Sequence, residues 1–356
     1  MKKNFRYIVS SILLVLCFIS TQASAQKTNE ATKSSLNVQN IIFGHIMDSY
    51  EWHITNFGTT KITIPLPIIV YSHESGWNSF LSSRIEDGGM YHGFYIAKSG
   101  KYKDKVVEKD ASGLEVRPFD ISLTKVTTSL IFYCILLAAI IIGVARWYRK
   151  RDRSDAAPGG FVGFMEMFIM MVNDDVIKSC IGKDYKRFSP YLLTTFFFIF
   201  LSNIMGIIPI FPGGANVTGN ITITFFLAIC TFLAINLFGN KEYWKDIFWP
   251  DVPVWLKCPV PMMPVIELFG VFTKPFALMV RLFANIMAGH AIGLSITCII
   301  FVTVKMGVVM NGTMSVISIL FAIFMGFIEV LVAFIQAYVF TMLSSVFIGL
   351  SRIKKE

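Results

Sequence analysis

The sequence predicts an all-α polytopic membrane protein of about five membrane segments, including a long tilted two-helix hairpin, with a small β-containing extracytoplasmic N-terminal region. Three observations predict it. Hydrophobic residues make up 54% of the 356 residues, 33 are phenylalanine and only 15% are charged, too few to cover a globule of this size with polar surface. The apolar residues gather into runs of about 20 or more, the length that crosses a ~30 Å hydrocarbon core. The formal charge of +9 sits mostly at the ends of those runs, a pattern that reads as topology and speaks against a nucleic-acid surface.

In chain order, Lys2, Lys3 and Arg6 form a basic start and Tyr7 to Ile19 an apolar run too short to span comfortably. Ala23-Ser24-Ala25 then predicts cleavage of a signal peptide, residues 1–25, with the mature chain starting at Gln26 outside the cytoplasm. An uncleaved first membrane helix is the alternative. Residues 26–120 form the only sizeable polar region and contain no cysteine, so no disulfide or cysteine metal site is expected there. Alternation over Lys61 to Tyr71 and over Met90 to Ala97 predicts strands, and Lys98-Ser99-Gly100-Lys101 a turn. His45, His53, His73 and His92 lack tight ligand spacing, and solvent exposure is the plainer reading. Cys134, Cys180, Cys230, Cys258 and Cys298 lie in or beside apolar stretches and read as small hydrophobes.

Residues 121–356 form the membrane domain. Its first span covers 126–145 and ends in Arg146, Arg149, Lys150, Arg151 and Arg153, which places that end in the cytoplasm. A short apolar stretch at 161–172, followed by Asn173-Asp174-Asp175, predicts an interfacial or re-entrant helix. Spans at 191–210 and 221–238 are joined by Pro212-Gly213-Gly214 and flanked by Lys183, Lys186 and Arg187, and by Lys241 and Lys245. Two long apolar segments follow, at 262–304 and 314–350. A helix of 43 residues is about 64 Å long, twice the core thickness. Each is therefore either two helices or one steeply tilted helix. Lys305, Gly307, Asn311 and Gly312 mark the turn between them, and Arg352, Lys354 and Lys355 place the C-terminus in the cytoplasm.

Few polar residues interrupt these runs, so each can be weighed. An ionised side chain at bilayer depth costs roughly 2.5–3.5 kcal/mol on insertion scales, and arginine does not escape by losing its proton. Glu267, Lys274 and Arg281 are spaced by seven and form one stripe on a helix. Asn285 lies close to that face, and His290, nine residues past Arg281, falls on the opposite one. Glu329 and Gln336, again seven apart, share a face of the last segment. Interhelical polar contacts would explain a lone Asn or Gln; an Arg, two Glu and a His in one hairpin read better as an ion path. Carboxylate and imidazole exchange protons, whereas a fixed guanidinium interrupts such a path. There is no GxxxxGK[ST] loop, GxGxxG turn or catalytic triad, so no cofactor or nucleotide site is expected and any nucleotide-driven step belongs to a partner.

These residues resemble subunit a of the F-type ATP synthase. The resemblance is carried by Glu267, Lys274-Pro275, the run Arg281-Leu282-Phe283-Ala284-Asn285-Ile286-Met287-Ala288-Gly289-His290, then Glu329 and Gln336-Ala337, with Asn203 and Pro209 also fitting. It covers roughly 191–350, and Glu51-Trp52-His53 resembles the family's N-terminal stretch. The resemblance implies a non-catalytic membrane subunit of a rotary complex, multi-pass in a bacterial inner membrane and partnered by a c-ring and the subunit b peripheral stalk. It implies two half-channels against the c-ring. Arg281 would separate them, facing the ring carboxylates, and Glu267, Asn285, His290, Glu329 and Gln336 would belong to the proton paths or the arginine's surroundings. Many members have an acid at the position of His290 and a histidine at that of Glu329. Here they stand exchanged, which suggests that the two side chains meet. The family's usual glycine before the asparagine is Ala284, and the region 26–120 is longer than is typical. His290, and the lack of a clustered hydroxyl/carboxylate site, favour H⁺ over Na⁺. A stand-alone secondary ion transporter or channel with a polar midplane site is the runner-up, but no inverted repeats or paired broken helices support it.

Overall fold

The computed structural model describes residues 44, 47–57, 60–72, 75–85, 88–110, 113–151, 158–208, 212–249, 262–304 and 307–352. The signal segment 1–25, His45, His73, Pro209, Cys258, Lys305, Lys354, Lys355 and the side chain of His53 lie outside them.

The N-terminal region is built of short strands. β1 (Glu51–Phe57) and β2 (Thr60–Pro65) form an antiparallel pair whose register shifts between His53 and Thr55. β3 (Pro67–Ser72) lies between β4 (Gly76–Leu81) and β8 (Phe119–Asp120), while β5 (Phe94–Ile96), β6 (Val106–Lys109) and β7 (Glu115–Val116) make a third sheet. The single strand expected over 61–71 is thus two. Pro65 and Pro67 carry no N–H for a ladder, and the Leu66 N–H between them donates to Ser82 Oγ at 3.1 Å. The strand expected over 90–97 shrinks to β5, because His92 takes a positive φ of 50° and the chain folds Tyr91 back onto Phe94 with two backbone hydrogen bonds. Ile68 and Val70 alternate inward along β3 and pack with Phe80, Ile85, Phe94 and Val106 into a small apolar core.

This region joins the first helix, α1 (Lys125–Arg149), without a linker. The Leu123 N–H donates to Pro67 O, and the Lys125 N–H to Ser49 O at 2.9 Å. The Val126 N–H donates to Asp48 Oδ1 at 3.0 Å, and Thr124 caps the helix by accepting from the Thr127 N–H. These contacts satisfy donors that a helix N-terminus otherwise leaves open.

α2 (Gly160–Met170) is the short apolar helix expected near 161–172, but the helical path does not stop there. It continues through a π-helical stretch, Met171–Lys178, and two short turns into α3 (Tyr185–Ile207). α4 (Ile221–Leu237) follows, and after a bend of 100° comes α5 (Lys241–Phe248). α6 (Met262–Thr303) and α7 (Val308–Arg352) are single helices of 42 and 45 residues. Each is one long helix, not two. At about 63 and 68 Å they fit a bilayer only when strongly tilted. α7 also starts earlier than the expected 314, so Asn311 and Gly312 lie in its first turns. Asn311 Oδ1 there accepts the Thr303 hydroxyl at 3.0 Å and closes the hairpin. Among the described residues four helical segments are long and apolar enough to cross a membrane, or five if α4 and α5 count as one span.

Lipid tails are as apolar as leucine, so helix association rests on close packing and polar contacts. α3, α6 and α7 share a core of Leu192, Phe196, Leu278, Leu282, Ala337 and Phe340, and rings of Phe168, Phe196, Phe200 and Phe334 stack around it. The far end of α7 is clamped. A Cβ on Gly349 would stand 2.2 Å from Cys180 O, so only glycine lets the two backbones touch. Asn240 donates to Ser351 O and Arg352 O, and Arg352 bridges Phe238 O and the Asp184 carboxylate.

Candidate functional site

α6 carries its polar residues on two faces. Arg281 and Asn285, one turn apart, are both exposed, and Ala277, Ala284 and Ala288 around them are small and exposed too. Arg281 makes no ion pair or hydrogen bond among the described residues. A guanidinium in so apolar a helix needs a partner or water, and this chain's described residues provide no partner. The buried flank holds Leu278, Leu282 and Ile286, which pack on α3 and α7.

His290 points the other way, as nine helical steps require, and meets α7. His290 Nδ1 lies 3.8 Å from Glu329 Oε1, with each side chain 17% exposed. The pair expected from the exchanged residues therefore does face itself across the hairpin. Three glycines make room for it. A Cβ on Gly289 would lie 3.5 Å from Glu329 Oε1, one on Gly293 would lie 3.3 Å from it, and one on Gly206 of α3 would lie 3.5 Å from His290 Nε2.

The pair borders a cavity of about 310 Å³ between α3, α6 and α7, which also touches Asn203, Asn285 and Gln336. Asn203 is buried and fixed at both ends. Its Oδ1 accepts the Thr218 hydroxyl at 2.5 Å and its Nδ2 donates to Ala333 O at 3.4 Å. Gln336 is also buried, on the same face of α7 as Glu329. Five of the eight residues singled out from the sequence thus converge. Arg281 stands one turn from the cavity on the exposed face. Glu267 and Lys274 lie further toward the start of α6, and Lys274 Nζ sits 5.7 Å from the Phe347 ring centre.

Sequence reasoning missed Thr218, Gly206 and Gly293. Thr218 and Gly206 reach the site only through the fold. Gly293 had a local signal: Gly289 and Gly293 are four apart on one helix face, the small-residue spacing of close helix contact. Among the described residues no three His, Cys, Asp or Glu gather as a metal set. Asn203, Asn285, His290, Glu329 and Gln336 bring polar groups to a cavity whose walls are otherwise mostly apolar.

A family model described as ATP synthase A chain matches residues 131–349, a stretch that holds every one of these residues. The chain belongs to that family. It is similar to the ATP synthase subunit a of Chloroherpeton thalassium, 41% identical over 244 residues, covering 67% of this chain and 69% of the relative. Similar too are the ATP synthase subunit a 2 of Chlorobaculum tepidum, 42% identical over 247 residues with 67% and 65% covered, and the subunit a of Myxococcus xanthus, 35% identical over 263 residues with 71% and 81% covered. Residues 41–121 match a separate model, described as a domain of unknown function. The family membership and the apolar helices together make this a multi-pass membrane protein.

Proposed function

We propose that the chain is the a subunit of an F-type ATP synthase in a bacterial inner membrane and conducts protons past a rotating c-ring. Its N-terminal β region would then be extracytoplasmic and its C-terminus cytoplasmic, with the subunit b stalk as a further partner. Arg281 is the fixed charge that divides the path. His290 and Glu329 are its proton-exchanging groups, and Asn203, Asn285 and Gln336 hold water and orientation beside them. Glu267 and Lys274 line the approach from the other membrane face. The single observation that carries this reading is the split geometry of α6: an exposed guanidinium with no partner among the described residues, and a His–Glu pair turned inward onto a cavity one turn away.

The physical logic is separation. Carboxylate and imidazole load and unload protons near neutral pH once their surroundings tune them. A guanidinium does neither, so a proton reaching it must step onto a partner carboxylate, and a ring that carries such carboxylates must turn. Arg281→Ala in the assembled complex is expected to abolish proton-driven ATP synthesis and to raise passive proton leak. Synthesis at the wild-type rate in that variant would sink the proposal.

A further inference from the structure

The side of α6 that faces away from Arg281 carries a feature the ion path does not use. Between α4 and α6 runs an apolar groove of about 430 Å³, lined by Ala228 and Phe232 from α4 and by Phe272, Pro275, Phe276 and Met279 from α6. On a helix that turns about 100° per residue, those four α6 positions lie about 120° to 220° around from Arg281. The groove is therefore not on the face the arginine shares with its partner. Thr273 brings the one hydroxyl to its lining, so water has no set of polar partners there.

At one end of α4 the chain bends by 100° into α5, which therefore lies roughly across the α4 axis. Ile247 of α5 is buried against the protein, while Lys241, Trp244, Lys245 and Phe248 are exposed. Those four lie within about 100° of one another on a helix, a basic and aromatic face of the kind that rests at the headgroup level. Trp244 stacks on Phe248 at 6.0 Å. Glu242 and Asp246 are half-buried and engaged with neighbours, whereas the Lys241 and Lys245 ammonium groups make no ion pair among the described residues. Phe232 stands five residues before the end of α4, about 8 Å of helix rise, so the groove opens within an acyl chain's length of the two lysines.

We propose that this α4–α5–α6 corner binds one phospholipid, its acyl chain in the groove and its anionic headgroup on Lys241 and Lys245. Two cations without an ion pair among the described residues, on the short helix that follows α4, match a phosphate ester whose hydrocarbon tail lies in the apolar slot, and α5 would hold them at the depth where headgroups lie. The site goes beyond the proton path and requires only that the chain spans a bilayer, so it stands or falls separately from the role of Arg281. Neighbouring lipids are as apolar as the groove, so the fit of the chain contributes shape selectivity more than hydrophobic transfer. The lysines contribute headgroup selectivity, about fivefold each at roughly 1 kcal/mol per basic residue near the surface.

The test uses the full chain in its assembled complex, placed in phosphatidylcholine nanodiscs that contain phosphatidylglycerol with a photoactivatable group in one acyl chain. Cross-links are expected to concentrate on peptides covering 225–232 and 272–279. Ala228→Trp, which fills the groove, should remove them, and Ile229→Trp serves if the first variant fails to assemble. Lys241→Gln and Lys245→Gln should each lower the preference for phosphatidylglycerol over an equally labelled phosphatidylcholine by about fivefold, while leaving α5 folded. The proposal is overturned by cross-links spread evenly over all lipid-facing helices, by cross-links unchanged in the filled-groove variant, or by lipid cross-links that fall on another polypeptide of the complex and not on these peptides. Loss of the headgroup preference in millimolar inorganic phosphate would assign the lysines to a free anion and also overturn it.

Discussion

The proposed chemistry rests on the His290–Glu329 pair, whose geometry makes separable predictions. At 3.8 Å the two groups are in ion-pair range without a direct hydrogen bond, so either can take a proton while the other shifts slightly. Glu329→Gln keeps the shape and removes the charge, and is expected to cut proton pumping in vesicles by about tenfold or more, the effect of about 1.4 kcal/mol on a barrier. Exchanging both residues, His290→Glu with Glu329→His, keeps a carboxylate–imidazole pair and should restore much of that loss. An exchange variant no better than Glu329→Gln would show that position, not pairing, matters. Tyr50, in the β region, provides a second residue-level test. Burial, and then its hydrogen bond to Asp120, raise the Tyr50 phenol above its ordinary value. A group whose pKa is raised on folding stabilises the fold below its unfolded value, near 10 for tyrosine, and that contribution is lost as pH climbs toward the folded value. The Tyr50 contribution to the stability of the β region should therefore fade above about pH 10, and Tyr50→Phe should remove that part of any alkaline loss in circular dichroism melts.

At the scale of elements, the two long helices must be held in axial register for the pair to meet. One turn of slip, about 5.4 Å, would carry Glu329 away from His290. Gly349 and Arg352 clamp the end of α7, some 20 residues from Glu329, and Thr303 with Asn311 closes the opposite end. Gly349→Ala would push a methyl group into Cys180 O, and is expected to destabilise the protein by about 1–3 kcal/mol, as overpacking does. A lowered midpoint in thermal unfolding of the detergent-solubilised protein checks it. Gly293→Val should do less to stability and more to pumping, since its added atoms meet the Glu329 carboxylate; equal effects on both would refute the slot. The helices themselves were legible in the sequence because apolar runs of spanning length have few other uses. The exceptions follow from local chemistry that a run of letters hides: prolines that split a strand at Leu66, a left-handed His92, and an asparagine recruited into the first turns of α7.

The whole molecule is a multi-pass protein with a β region fused to its first helix through backbone hydrogen bonds. That rigid joint predicts a coupled placement. A cysteine at Ser79 should react with a membrane-impermeant maleimide in intact spheroplasts, and one at Lys150 only after permeabilisation. The reverse pattern would invert the proposed topology.

The sequence by itself determined the class and the cast of this protein. Composition and run length required a membrane, and the seven-residue spacing put Glu267, Lys274 and Arg281 on one stripe and turned His290 to the other side. Those conclusions follow from helix periodicity and the energy of charge in lipid, which need no partner strand or helix. Tertiary structure alone decided that each long segment is a single helix and that Asn203, Asn285, His290, Glu329 and Gln336 share one cavity. It alone showed that Thr218 and Gly206 belong beside them. The reason is that periodicity fixes a direction around one helix, whereas the distance between two helices depends on glycines, clamps and loops far away in the chain.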